Sequence, residues 1–130
     1  MSGWVARLAQ SSAMHMAGAF VLMGTWAVFA NRDHPMPAPV IAGIVQGMLS
    51  ALITLGLKTV IETIARRLEG WRARLLPPLV AGMVSFGLLS AIHWAAGTPE
   101  IIRTVLLPLA VSTSYAAGYA QALWRLRRAP

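Results

Sequence analysis

Residues 38–57 read APVIAGIVQGMLSALITLGL, twenty positions without a charged side chain. At about 1.5 Å of rise per residue, a helix of that length crosses the roughly 30 Å of hydrocarbon in a bilayer. Three further windows, 12–30, 76–96 and 101–122, have the same character. The one charged residue inside any of them is Arg103, a turn past the start of the last window, where a long side chain reaches the interface. The expected fold is therefore all-α: a single polytopic domain over residues 1–130 with four transmembrane helices.

Composition agrees with this reading. The chain is 57% hydrophobic and 12% charged, with a mean hydropathy of +0.63. A soluble domain of 130 residues cannot hide that much apolar surface. The net charge of +7 is topological information first, because the bases gather at the ends of apolar runs. A nucleic-acid-binding domain does not separate its basic residues with membrane-length uncharged stretches, so no nucleic-acid partner is expected. The lack of cysteine excludes disulfides, thiol nucleophiles and cysteine-ligated metals. Arg7, the following apolar run and the small-residue ending Val28-Phe29-Ala30 also fit a signal peptide, but the segment is read here as a retained first helix.

Orientation follows from Lys and Arg, which stay on the cytoplasmic side of short loops. Arg7, Lys58, Arg66, Arg67, Arg72, Arg74, Arg125, Arg127 and Arg128 fall to one side, and Arg32 and Arg103 to the other. Both termini are thus expected in the cytoplasm, with turns 31–37 and 97–100 outside, in a bacterial inner membrane. Tryptophan, which prefers the headgroup level, marks the same planes: Trp4, Trp71 and Trp124 inside, Trp26 and Trp94 outside.

Prolines and small polar residues punctuate the plan. Pro35, Pro37 and Pro39 are expected to open the second helix, and Pro77 and Pro78 the third. Thr98-Pro99-Glu100 supplies an N-cap, a first-turn proline and a first-turn acid for the fourth. Pro108 lies inside that helix and is expected to kink it near Thr104. After the second span, Leu57, Val60, Ile61, Ile64, Leu68, Trp71 and Leu75 recur at helical spacing, which predicts an amphipathic cytoplasmic extension broken near Gly70. Beside that stripe, Lys58, Arg66, Arg67, Arg72 and Arg74 are candidates for binding an anionic headgroup or substrate, against the plainer reading that they only set topology.

Small residues give the best-supported contact faces. Gly43, Gly47 and Ala51 lie along the second helix, Gly87 and Ala91 along the third, and Ala110, Ser114, Gly118 and Ala122 along the fourth. Three such ridges are more than a short bundle needs internally, which predicts a homo-oligomer. Pro39-Val-Ile-Ala-Gly-Ile-Val with Leu49-Ser50-Ala51 resembles Pro78-Leu-Val-Ala-Gly-Met-Val with Leu89-Ser90-Ala91, the pattern of an inverted repeat. Gln46, Ser85, Ser112, Thr113, Ser114 and Tyr115 fall near mid-depth and are candidates to line a polar pathway; interhelical hydrogen bonding is the simpler account.

No catalytic constellation emerges, and no enzyme activity, metal or other cofactor is expected. His15 and His93 lie at opposite ends of their spans and cannot ligate one iron, while His34 and His93 share a side. Glu62, with Lys58 and Arg66 a turn away on either side, reads as a surface ion pair. Small four-helix drug exporters have a comparable size but resemble each other in an acidic residue within the first helix, and residues 12–30 contain none. The functional expectation is a homo-oligomeric translocator or flippase-like transporter for a lipid-linked or amphiphilic substrate, with anionic inner-leaflet lipid as a partner. The alternatives are a non-catalytic accessory or scaffold subunit of a larger membrane protein and, more distantly, a holin-like pore former.

Overall fold

The computed structural model of the chain describes Gly3 and residues 12–129. Arg7 and Trp4, which enter the orientation argument, lie outside the described residues. The fold is all-helical: α1 spans Ser12–Ala30, α2 Ala38–Arg66, α3 Gly70–Ala95 and α4 Ile101–Arg128. All four are long and apolar enough to cross a membrane. At 29 residues α2 is about 43 Å long, more than the roughly 30 Å that a helix needs to cross the hydrocarbon of a bilayer.

The apolar stripe from Leu57 to Leu75 divides between the end of α2 and the start of α3. Arg67, Leu68 and Glu69 form the break, and Gly70, at φ +61°, opens α3 in the left-handed region that glycine tolerates. Pro77 and Pro78 therefore do not open the third helix; they sit inside it, both buried. Proline supplies no N–H but is otherwise compatible with helical φ, and helix α3 gains its earlier turns from Gly70 onward on the amphipathic stripe. Pro39 does lie in the first turn of α2, behind an N-cap at Pro37. Helix α4 runs through Pro108 as one element.

The start of α4 departs from the expected cap. Glu100, not Thr98, is the N-cap residue, and it makes no side-chain cap bond. Thr98 instead follows Gly97, whose φ of +73° ends α3 in a Schellman motif: the Thr98 N–H donates to the His93 carbonyl at 2.9 Å and the Gly97 N–H to Trp94 at 3.1 Å. The backbone geometry after α3 thus claims Thr98 before α4 begins.

Packing divides the bundle into two hairpins. Between α1 and α2, Gly24 faces Gly43 and Gly47 so closely that a Cβ at Gly24 would lie 2.9 Å from the Gly43 carbonyl oxygen, and one at Gly47 would lie 3.0 Å from that of Phe20. Between α3 and α4, Gly82 makes the corresponding approach, with Thr113 Oγ1 3.1 Å from the position of its missing Cβ. Gly43 and Gly82 are the matching glycines of the two PxxAG segments, so each copy of the apparent repeat marks the close crossing of its own hairpin. The hairpins meet through two apolar clusters. Leu57, Ile61, Ala81, Ala116 and Ala120 form one, Leu49, Leu89 and Val105 the other, and Ile53 packs against both.

Turns 31–37 and 97–100 lie together at one end, joined by Asn31 and His34 to Glu100. The α2–α3 turn lies at the other end with the close of α4, where Arg127 reaches the Ala65 carbonyl at 2.6 Å. From the charge bias, the first end is the one expected outside. Cysteines introduced at the exposed Asp33 should accordingly react with an impermeant reagent in intact cells, and those at Glu69 and Ala129 only after permeabilisation. Labelling of Glu69 from outside would reverse the orientation.

Candidate functional site: a closed polar end and an open basic end

In a bilayer no water solvates a buried polar group, so every such group in a span must find a protein partner. Gln46, on the buried face of α2, donates from Nε2 to Ser50 Oγ at 2.8 Å. This turns its Oε1 toward His93 Nε2 on α3, 2.9 Å away. In that arrangement Nε2 carries the imidazole hydrogen, and Nδ1 accepts from the Thr98 hydroxyl at 2.7 Å. Ser50, Gln46, His93 and Thr98 form one continuous chain that ties α2, α3 and the following turn, and all four are buried.

A second group closes the same end. Asn31, fully buried just past α1, donates from Nδ2 to Ala27 O at 2.8 Å and to Thr104 Oγ1 at 2.7 Å, and its Oδ1 accepts the Glu100 N–H at 3.0 Å. Thr104 Oγ1 in turn donates to the Glu100 carbonyl at 2.6 Å. The Trp26 indole N–H reaches the Arg103 carbonyl at 3.2 Å, a further link from α1 to α4. Above this layer His34 Nε2 lies 3.0 Å from Glu100 Oε1. The hydrogen bond from His34, helped by the nearby Arg103 charge, holds the Glu100 carboxyl below its ordinary value of 4.5 despite some loss of hydration.

Of the residues expected to line a polar pathway, Gln46 joins the His93 chain. Ser85 is buried on α3, and Ser112 Oγ bonds back to the Leu109 carbonyl at 3.2 Å. Thr113 packs on Gly82, while Ser114 and Tyr115 face away from the bundle, Tyr115 stacked on Tyr119. No hydrogen bond among the described residues joins Gln46 to the Ser112–Tyr115 group. His34 and His93 do share one end, but they belong to separate bonded groups.

The small-residue ridges also differ from one another. Gly43 and Gly47 are covered by α1, whereas Cβ atoms built at Gly87 and Gly118 would meet nothing within 4 Å. Ala91, Ala110, Ser114 and Ala122 are likewise exposed, and Ala51 is half-buried. Gly24, the partner of the α2 ridge, has Phe20 and Val28 four residues to either side, so no small residue at that spacing singles it out.

At the opposite end the five candidate basic residues have unlike surroundings. Lys58 lies 4.0 Å from Glu62, whose carboxylate also accepts the Tyr119 hydroxyl of α4, so Glu62 serves a helix contact as well as the ion pair. Arg66 and Arg67 are exposed at the end of α2. Arg72 lies 5.8 Å from the Trp71 ring centre, and Arg74 lies 5.5 Å from that of Trp124. Arg128, which the sequence pattern assigned to topology alone, lies 4.2 Å from the same Trp124 ring. The chain has no match among protein-family profiles, curated proteins or solved structures.

Two tests address the closed end. His93→Leu or Gln46→Leu each orphans buried partners and should cost about 2 kcal/mol in thermal unfolding, with the double variant losing less than the sum; additive losses would dissolve the network. Because the Glu100 pKa is depressed in the folded state, its contribution is present above the ordinary carboxylate value and lost as pH falls through the folded one. Melting temperature should therefore drop in that acidic window for the natural chain and drop less for His34→Ala.

Proposed function

We propose that the protein is a multi-pass membrane protein that works as a homo-oligomeric translocator, flippase-like in moving a lipid-linked or amphiphilic substrate along the boundary between subunits. The observation that carries this reading is the outward face of α4. Ala110, Ser114, Gly118 and Ala122 form a shallow exposed ridge, with Ser114 and Tyr115 presenting hydroxyl-bearing side chains at mid-span on the outside of the protomer. Hydroxyls left against hydrocarbon are costly, and small residues permit a second backbone to approach closely. A second copy seated there would cover the ridge and leave Ser114 and Tyr115 along its margin, where an amphiphile's polar part would pass. The interior of one protomer is filled by apolar clusters and by the closed His93 chain, which favours a route between protomers over one through them.

On this reading the residues bind and conduct, and none performs bond chemistry. The basic end faces the cytoplasm, in a bacterial inner membrane, and meets anionic lipid. Reconstitution into proteoliposomes, with transbilayer movement of a fluorescent phospholipid followed against protein-free vesicles, tests the activity. Mass measurement in nanodiscs tests the assembly: a discrete homo-oligomer supports the proposal, and a protomer found only with a larger membrane protein supports the accessory role.

Two glycine substitutions separate folding from association. Gly47→Leu drives a side chain into α1 and should destabilise the protomer by about 1–3 kcal/mol. Gly118→Leu meets open space within the protomer, so it should leave the melting temperature of a monomeric preparation unchanged while shifting the particle mass toward monomer. Equal behaviour of the two variants in both assays would remove α4 as the contact.

A further inference from the structure

At the basic end, Arg74 of α3 and Arg127 and Arg128 at the close of α4, all exposed, divide their work. Arg127 is bonded within the fold: its guanidinium donates to the carbonyl oxygens of Ala65 at 2.6 Å and Leu68 at 3.5 Å, satisfying the end of α2. Arg74 and Arg128 are not. Both lie over one indole, 5.5 Å and 4.2 Å from the Trp124 ring centre, yet among the described residues neither makes a hydrogen bond or an ion pair. The cation–π contact restrains each guanidinium, and its N–H donors have no acceptor among the described residues. The Trp124 Nε1 atom is itself buried and without a hydrogen-bond partner. Two guanidinium groups from two different helices are thus brought to one indole ring, and neither is in an ion pair among the described residues.

Such an arrangement wants an acceptor of high negative charge with several oxygens. Both guanidiniums are forked donors that match the spacing of phosphate oxygens, and a shared anion relieves the repulsion between them. We propose that Arg74, Arg128 and Trp124 form a binding site for a phosphate group, carried by an anionic lipid headgroup or by a free phosphate compound. Arg74 and Arg128 grip the oxygens, and Trp124 holds both side chains by its ring, its own buried Nε1 lying out of reach of a bound group. Arg66, Arg67 and Arg72 contribute only diffuse attraction, because none of them converges with a second cation on a shared ring. This deepens the transport reading by naming the chemistry of its substrate or regulator, and rests on it only for the placement of this end at a membrane surface.

The test uses the full chain in phosphatidylcholine nanodiscs and measures binding of added phosphatidylglycerol, and separately of inorganic pyrophosphate, to the natural protein and to charge-preserving variants. Arg74→Lys and Arg128→Lys should each weaken binding roughly tenfold, since an ammonium cannot form the paired bonds. Arg66→Lys, Arg67→Lys and Arg72→Lys should change it less than about twofold, as diffuse attraction depends on charge alone. Trp124→Phe keeps a ring for the arginines, though one that holds a cation less well than an indole, so it should weaken binding by a smaller factor with the melting temperature retained. Selective loss with the lipid and none with pyrophosphate assigns the site to a headgroup; selective loss with both assigns it to phosphate in general. Five indistinguishable lysine variants, or no binding of either probe by the natural protein, overturn the proposal. Because binding is read without movement across the bilayer, a failed translocation assay leaves this result standing, and a failed binding assay leaves translocation to be judged on its own.

Discussion

Most of the large apolar side chains of this protein face outward: Trp94, Leu126, Met83, Leu22 and Ile102 are among those more than half exposed. In lipid, hydrocarbon outside is no worse for them than hydrocarbon inside, so the hydrophobic effect gives the helices little reason to assemble. What remains is close contact and the demand that buried polar groups be satisfied. Both are visible where helices meet. Gly24, Gly43 and Gly47 let α1 and α2 touch, Gly82 receives Thr113, and the Gln46–His93 and Asn31–Thr104 bonds hold the hairpins to each other. The apolar clusters fill the space that these contacts define.

The consequence is a molecule with two dissimilar ends. At the turn end, Asn31 and Thr104 answer one another, as do Gln46, His93 and Thr98, while the buried Ser90 hydroxyl one turn before His93 has no partner among the described residues. At the basic end the converse holds. Tyr119 and Arg127 are spent on Glu62 and on the α2 carbonyls, but Arg74, Arg128 and the Trp124 N–H have no protein acceptor. Polar groups bonded within the fold are concentrated at one end and guanidiniums without a protein acceptor among the described residues at the other, while the exposed α4 ridge runs between them.

Much of the architecture was legible because lipid imposes it on composition. Uncharged windows of membrane length gave the helices, and proline and glycine gave their breaks. Local signals failed where a longer-range partner intervened. Thr98 looked like a cap for α4, but the Schellman turn at Gly97 brought its hydroxyl to His93. Pro77 and Pro78 looked like a start, but the amphipathic stripe before them was already helical. Gln46 and His93 are 47 residues apart, and His93 alone on an apolar helix carries no sign of which residue it meets. Arg128 was indistinguishable by spacing from Arg125 and Arg127. Only the fold, by setting Arg74 of α3 and Arg128 of α4 on one indole, separates it from its neighbours.

The division into hairpins also bears on how the chain is built. Helix α1 finds its glycine-lined partner in the next helix to be synthesised, and α3 likewise finds Thr113 in the helix that follows it. Each half can leave the insertion machinery as a pair, its closest crossing already made. The bond that joins the halves is of another kind, since Gln46 can bond its NH2 group to Ser50 within α2, but its Oε1 meets His93 only once α3 has been threaded. During biogenesis the first pair therefore carries an amide oxygen still lacking this partner, and its pairing with the imidazole marks the moment at which two inserted hairpins become one protein.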